Sequence, residues 1–299
     1  MNGPRHVFFN LSTGCNYKCA FCVNESLPAH TFMDVGKLLE LEDLIDGADI
    51  IDVTGYGEIV LHPRFKDVVD VLTWKKKKFS FSTNGSLLTK DVVDRLGQSS
   101  LYLINISINS LDRDTYAMIT KTGDLDILLR NLEYLFSIPR KYEITLSAVI
   151  TSYAIKELDW FVHYAAANKA NRLRFLPMTP AITTYPEDMI LRDTPENRQA
   201  LKRSEKLAER FGVALQSFSF DPAAPAVTTN KDRCMAPFDQ MCVGQGGEVT
   251  PCCWLPFKIM GNLRATPWRE IWESSEYQEF RTSVARGGSE HCRHCREFG

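Results

Sequence analysis

Cys15-Asn16-Tyr17-Lys18-Cys19-Ala20-Phe21-Cys22 is the stretch from which the rest of the chain can be read. Its three thiols stand at the spacing C-x3-C-x2-C, directly after the apolar run His6-Val7-Phe8-Phe9-Asn10-Leu11. Three thiolates can hold three corners of a cubane iron–sulfur cluster. No fourth cysteine lies nearby, so one iron would lack a protein ligand. A small molecule could bind and react there, as at catalytic metal sites that keep one position open. A zinc knuckle or a chance group of core cysteines is the plainer alternative.

The segments around this loop alternate between two periods. Strand-like runs are expected at 6–11, 49–54, 79–83, 102–108, 143–150 and 172–177. Helical patterns are expected at 33–45, 65–74, 89–97, up to 136, 155–168 and 194–212. The last of these starts on Thr194-Pro195, a cap residue followed by proline at the first helical position, and stops at Gly212. Six β-then-α units predict an α/β fold with a parallel sheet, and six rather than eight suggest a partial barrel. In parallel barrels the loops after the strands carry the chemistry, and the cysteine loop follows the first strand.

Length and composition limit the alternatives. The chain has 299 residues and is 44% hydrophobic, enough for one barrel and an appendage. A net charge of -2 gives no bulk field for nucleic acid or a membrane surface. The run Lys75-Lys76-Lys77-Lys78 reads as a solvated helix end. No membrane span or signal peptide is expected, so a cytoplasmic location is.

The nine cysteines are unevenly placed. After Cys22 none occurs until Cys234, followed by Cys242, Cys252, Cys253, Cys292 and Cys295. The middle of the chain, free of cysteine, predicts two metal sites in two domains, 1–215 and 216–299. The break at Asp221-Pro222-Ala223-Ala224-Pro225-Ala226 reads as a linker. Beyond it a hairpin is expected around 244–247 and a helix across 267–285. So small a segment would need a metal staple.

The C-x3-C-x2-C loop, with aromatic Phe21 before its third cysteine, resembles the signature of radical S-adenosylmethionine (SAM) enzymes. The resemblance implies a partial (β/α)6 barrel in which SAM chelates the open iron. One electron then splits SAM, and a 5′-deoxyadenosyl radical takes a hydrogen atom from the substrate. It also implies SAM contacts. Gly55, Tyr56, Gly57 and Glu58 after the second strand match a glycine-rich motif that binds the SAM amino group. Glycines there would let backbone approach the ligand. Asn84 and Ser107 fall where ribose or carboxylate is held, and Leu176-Pro177-Met178 where adenine would lie. Each has a plainer reading as a turn, a strand end or core.

The C-terminal region resembles the SPASM and Twitch extensions of that superfamily. Twelve residues separate Cys234 from Gly247 and four separate Gly247 from Cys252, and Cys292-x2-Cys295 closes the set. Cys234, Cys252, Cys292 and Cys295 would hold one auxiliary 4Fe-4S cluster, giving two clusters in all. The same four thiols could instead bind zinc. His291 and His294 are taken as bystanders. Cys253 is the candidate hydrogen donor, and Cys242 the weaker candidate or a substitute ligand.

In length and layout the chain most resembles the short Twitch-type enzymes of aminoglycoside biosynthesis, neomycin C epimerase among them. The leading expectation is therefore an epimerase of an aminoglycoside or related sugar, with Cys253 returning hydrogen. Alternatives are an amino-cyclitol dehydrogenase and a peptide-modifying maturase. Against the maturase, residues 1–5 leave no room for a leader-binding domain. A non-enzymatic metal-binding module would leave Gly57-Glu58 unexplained. A flavodoxin or ferredoxin is the expected reductant.

Overall fold

The computed structural model describes residues 3–22, 31–178, 186–220, 234–253, 255 and 257–286. These residues form two compact units, one of 3–14, 31–80 and 234–286, the other of 15–22 and 81–220. The α/β fold expected from the alternating periods is observed, with strands and helices following one another through the first 211 residues.

In the first unit β1 (His6–Asn10) pairs in parallel with β2 (Ile50–Thr54). Val7, Phe9, Ile51 and Val53 are buried, as period-two alternation requires of a sheet covered on one face. Between these strands stand α1 (Val35–Glu40) and α2 (Glu42–Gly47). One helix was expected over 33–45. The break is at Leu41, whose φ of -100° and ψ of 26° leave the helical region. Asp34 caps the start of α1 by accepting from the Gly36 N–H. α3 (Phe65–Trp74) follows, and Lys75 beyond it is more than a solvated helix end. Its ammonium donates to Asp46 at 3.1 Å, and Lys77 donates to the Asp46 and Ala48 carbonyls.

The C-terminal segment joins the same unit. After α9 (Ala236–Asp239), strand β8 (Gln240–Val243) lies parallel to β1, with Phe8 opposite Cys242. It turns into antiparallel β9 (Glu248–Thr250), as the expected hairpin, and β9 pairs with β10 (Gly261–Asn262). The helix expected over 267–285 is two, α10 (Trp268–Glu273) and α11 (Ser275–Ala285). Extended Ser274 both ends the first and caps the second. Arg281 anchors them, stacked on Trp272 at 4.1 Å and donating to the Pro237 and Trp272 carbonyls.

β3 (Lys78–Thr83) begins in the first unit and ends in the second. The second unit continues with α4 (Lys90–Gly97), β4 (Leu101–Ser107), α5 (Arg113–Thr120), α6 (Leu125–Ser137) and β5 (Glu143–Ile150). α7 (Leu158–Ala167), β6 (Arg172–Pro177), α8 (Pro195–Phe211) and β7 (Leu215–Gln216) complete it. Here β4, β5, β6 and β7 pair in that order, all parallel. The helical stretch expected up to 136 is split because Lys121 enters the left-handed region at φ 59°. α8 matches its expectation: Thr194 accepts from the Asn197 N–H, and Gly212 closes the helix at φ 66°.

Candidate active site and metal centre

The cysteine loop is held by its backbone against the end of α5. Lys18 N–H donates to Thr120 O at 3.3 Å, and Ala20 N–H donates to Ile119 O at 2.9 Å. The Tyr17 ring meets buried Tyr116 edge-on, with centroids 6.4 Å apart and the two hydroxyls 3.4 Å apart. Cys22 N–H closes a turn onto Cys19 O at 3.0 Å. Within this frame Cys15 Sγ accepts from the Tyr17 N–H at 3.4 Å.

Burial is the main cause that pushes the Cys19 thiol up to about 12, and Cys22 and Cys15 add to it. Lys121 opposes the shift. A bound cation such as iron would offset the upward shift by stabilising the thiolate. Among the described residues, no three His, Cys, Asp or Glu side chains gather closely enough to hold one metal ion. The all-sulfur donor set suits the wider corners of a cubane cluster.

Asn84, after β3, reaches this loop directly. Its Nδ2 donates to Asn16 Oδ1 at 3.0 Å, while its Oδ1 accepts from the Ser86 N–H and hydroxyl. Asn16 Nδ2 donates in turn to Ser86 Oγ at 2.8 Å. Asn84 therefore ties the cysteine loop to the β3 exit. Ser107, the last residue of β4, stands opposite Ser147 of β5. The β4 exit is fixed by Glu157, fully buried, which accepts from Ser110 Oγ and from the Leu111 and Asp112 N–H groups. Leu176 and Pro177 end β6 opposite Val149 and Ile150, and Met178 is buried.

The glycine-rich motif packs closely on the chain that leaves β1. A Cβ on Gly57 would lie 2.2 Å from Gly14 O, and one on Gly55 would lie 2.5 Å from Ser12 O. Both glycines are required by packing against the chain that leaves β1. Gly57 N–H donates to Ser12 O, and Glu58 N–H donates to Gly14 O at 2.8 Å. Glu58 is buried and caps the turn Ile59–Leu61, its carboxylate accepting from the Val60 N–H at 3.0 Å. Tyr56 sits among the C-terminal thiols: burial, then Cys242, Cys253 and Cys252, raise its hydroxyl's pKa.

Of the second set of thiols, Cys234 precedes α9 and Cys252 follows β9, both half-buried. Cys253 beside Cys252 is also half-buried. Cys242 is buried on β8, and burial followed by Cys252 holds its thiol well above the ordinary range. Cys292 and Cys295, with His291 and His294, lie outside the described residues, as does the linker at 221–226. Sequence reasoning missed Asn16, Tyr116, Lys121 and Glu157. Their partners lie far along the chain, and no spacing pattern marks them.

Two family models match the chain. The radical SAM superfamily model covers residues 9–151, and SPASM, described as an iron-sulfur cluster-binding domain, covers 234–296. The chain carries a radical SAM domain and a SPASM domain. These domains imply a 4Fe-4S cluster with SAM and an auxiliary iron–sulfur cluster, which the cysteine loop and the C-terminal thiols suit. The chain is 22% identical to the antilisterial bacteriocin subtilosin biosynthesis protein AlbA of Bacillus subtilis, over 97% of this chain and 64% of that one. It is 25% identical to the mycofactocin maturase MftC of Mycobacterium tuberculosis, over 98% of this chain and 77% of that one. The fold matches SuiB of Streptococcus suis with a TM-score of 0.78 and 15% identity, covering 99% of this chain and 76% of SuiB. SuiB has been solved with SAM and with its precursor peptide SuiA. Among the described residues, no helix is long and apolar enough to cross a membrane.

Proposed function

We propose that this protein is a peptide-modifying radical SAM enzyme. The observation that carries the reading is similarity over nearly the whole chain to AlbA, a bacteriocin biosynthesis protein, and MftC, a maturase, with a fold like that of SuiB, solved with its precursor peptide. The aminoglycoside epimerase reading rested on length and on a spare cysteine, and this similarity favours its peptide alternative. The short stretch before residue 6 does not argue otherwise, because the chain spans only 64% of AlbA.

In this reading residues 1–215 are the radical SAM core and 216–299 the auxiliary-cluster domain. Cys15, Cys19 and Cys22 hold the first cluster. Gly55, Tyr56, Gly57, Glu58, Asn84 and Ser107 shape the SAM site. Cys234, Cys252, Cys292 and Cys295 hold the auxiliary cluster. Bound there, the cofactors supply a radical able to take a hydrogen atom from an unactivated C–H bond. The chain's own residues hold the geometry. Asn84 fixes Asn16, the end of α5 fixes the backbone of the loop, and Glu157 fixes the β4 exit. A reductant of the flavodoxin or ferredoxin type supplies the electron.

Two outcomes at the peptide are open to these residues. A substrate radical that forms a new bond, its electron passing to the auxiliary cluster that would be held there and its proton to solvent, would give a crosslink with net loss of two hydrogens. One that takes a hydrogen atom from the Cys253 thiol gives an epimer, and the thiyl left behind needs an electron and a proton from the reductant and solvent. The test is anaerobic turnover of reconstituted protein with a library of linear peptides in deuterated water. Deoxyadenosine formation stimulated by peptide, with either a two-hydrogen loss or one deuterium gained, is expected. Stimulation by amino-sugars and by no peptide would overturn the reading.

A further inference from the structure

One face of the β8, β1 and β2 strands carries groups that the reading above does not use. Alternation sends Val7, Phe9, Ile51 and Val53 to the buried face. On the opposite face Cys242, Phe8 and Asp52 stand side by side in register across three strands. Asp52 accepts from Ser80 Oγ at 2.9 Å. The His6 ring stacks on Phe8 with centroids 4.2 Å apart and holds its Nε2 4.0 Å from the Asp52 carboxylate. Two buried atoms of this face, His6 Nε2 and Asn10 Oδ1, lack a hydrogen-bond partner among the described residues. Burial disfavours the charged imidazolium of His6, and the neutral ring protonated at Nδ1 leaves Nε2 an acceptor.

The face thus offers acceptors and lacks a cation. The hydrogen-bond donor that Asp52 has is a neutral hydroxyl. Arg5, just before β1, is committed to Asp49 at 2.6 Å, and Asp239, which acts on His6, adds a second negative charge. A buried carboxylate with no counter-charge weakens the fold at neutral pH, and its carboxyl is pushed up to about 6. Stability given up in this way is characteristic of groups kept for a ligand. The His6 and Asp52 side chains stay 22% and 23% exposed, so a ligand can reach them. Asp52 stands two residues before Thr54, the end of β2, which puts it about 7 Å below that end. A flexible apolar stem with a charged head spans such a depth, and lysine has that shape. Phe8 and Cys242 flank the stem, and the three donors of an ammonium suit Asp52 and His6 Nε2. We propose that Asp52, together with His6 Nε2, binds a lysine ammonium of the peptide substrate. This rests on the peptide reading of the same site and adds what the peptide must carry.

The experiment compares reconstituted wild-type protein with Asp52→Asn and Asp52→Glu. Probes are two fluorescent libraries of linear peptides, alike except for lysine or norleucine at one fixed position. SAM binding is measured in parallel. Wild type should bind the lysine library about tenfold more tightly, in line with a charge-assisted hydrogen bond. Asp52→Asn, which keeps the shape and removes the charge, should abolish the preference. Asp52→Glu should keep part of it, and SAM affinity should be unchanged in both. Equal binding of the two libraries by wild type, or a preference that survives Asp52→Asn, overturns the proposal. If Asp52→Asn instead weakens SAM tenfold and leaves the lysine preference intact, the cation is SAM's and the proposal is overturned. If neither library binds, glucosamine is compared with glucose by calorimetry. Asp52-dependent selection of glucosamine would fail the peptide reading while keeping the ammonium site, and no selection would fail both.

Discussion

The Cβ that Gly57 lacks would stand 2.2 Å from the carbonyl oxygen of Gly14. The two residues belong to the two chain segments that leave β1 and β2, and they are locked by the Glu58 N–H bond to the same oxygen. The Gly57→Ala variant must therefore shift backbone, at about 1–3 kcal/mol or more. Gly47, at the end of α2, has open space where a methyl would stand, with nothing within 4 Å, and Gly47→Ala should be neutral to stabilising by up to ~1 kcal/mol. Thermal unfolding of the two variants should move in opposite directions or differ by that margin.

Asn84 and Asn16 should behave as one unit. Asn84→Ala removes the donor to Asn16 and the acceptor for Ser86, loosening the loop without removing a thiol. Iron content should stay near wild type while SAM binding weakens several-fold. A double-mutant cycle with Asn16→Ala should return a coupling of about 1 kcal/mol. A coupling of zero would mean that the bond does not hold the loop.

Glu157 accepts from three donors in a site with no exposure. Glu157→Ala leaves buried donors without partners, at about 3 kcal/mol or more in total. Glu157→Gln keeps one acceptor oxygen and should cost less. Urea unfolding of both variants checks the order.

Asp52 provides the pH test. Burial raises its carboxyl to about 6 from 3.8, against a lowering bond from Ser80. The folded state thus binds the proton more tightly than the unfolded state. Stability from this group is present in acid and is lost as the pH rises from about 4 to about 6, amounting to about 3 kcal/mol. Asp52→Asn should remove this slope and be the more stable protein at pH 7. Equal slopes for the two proteins between pH 4 and 6 would refute the assignment.

Much of the fold could be read from local pattern. The strands at 143–150 and 172–177 and the helix at 65–74 match their expectations residue for residue. Period-two alternation and apolar helix faces survive whatever packs on them. Leu41, Lys121 and Ser274 broke helices that looked continuous, because single non-helical residues leave hydrophobic spacing almost unchanged.

The amino-acid sequence by itself determined the three-thiol loop, the α/β alternation and the second set of cysteines, because ligand spacing and side-chain period are properties of neighbouring residues. Only the tertiary structure decided that Gly57 is set by Gly14, that Asn16 is held by Asn84, and that β8 lies beside β1. It alone aligned Cys242 with Asp52 across β1. These are meetings of residues distant along the chain, chosen by strand register and close packing, which no local pattern records.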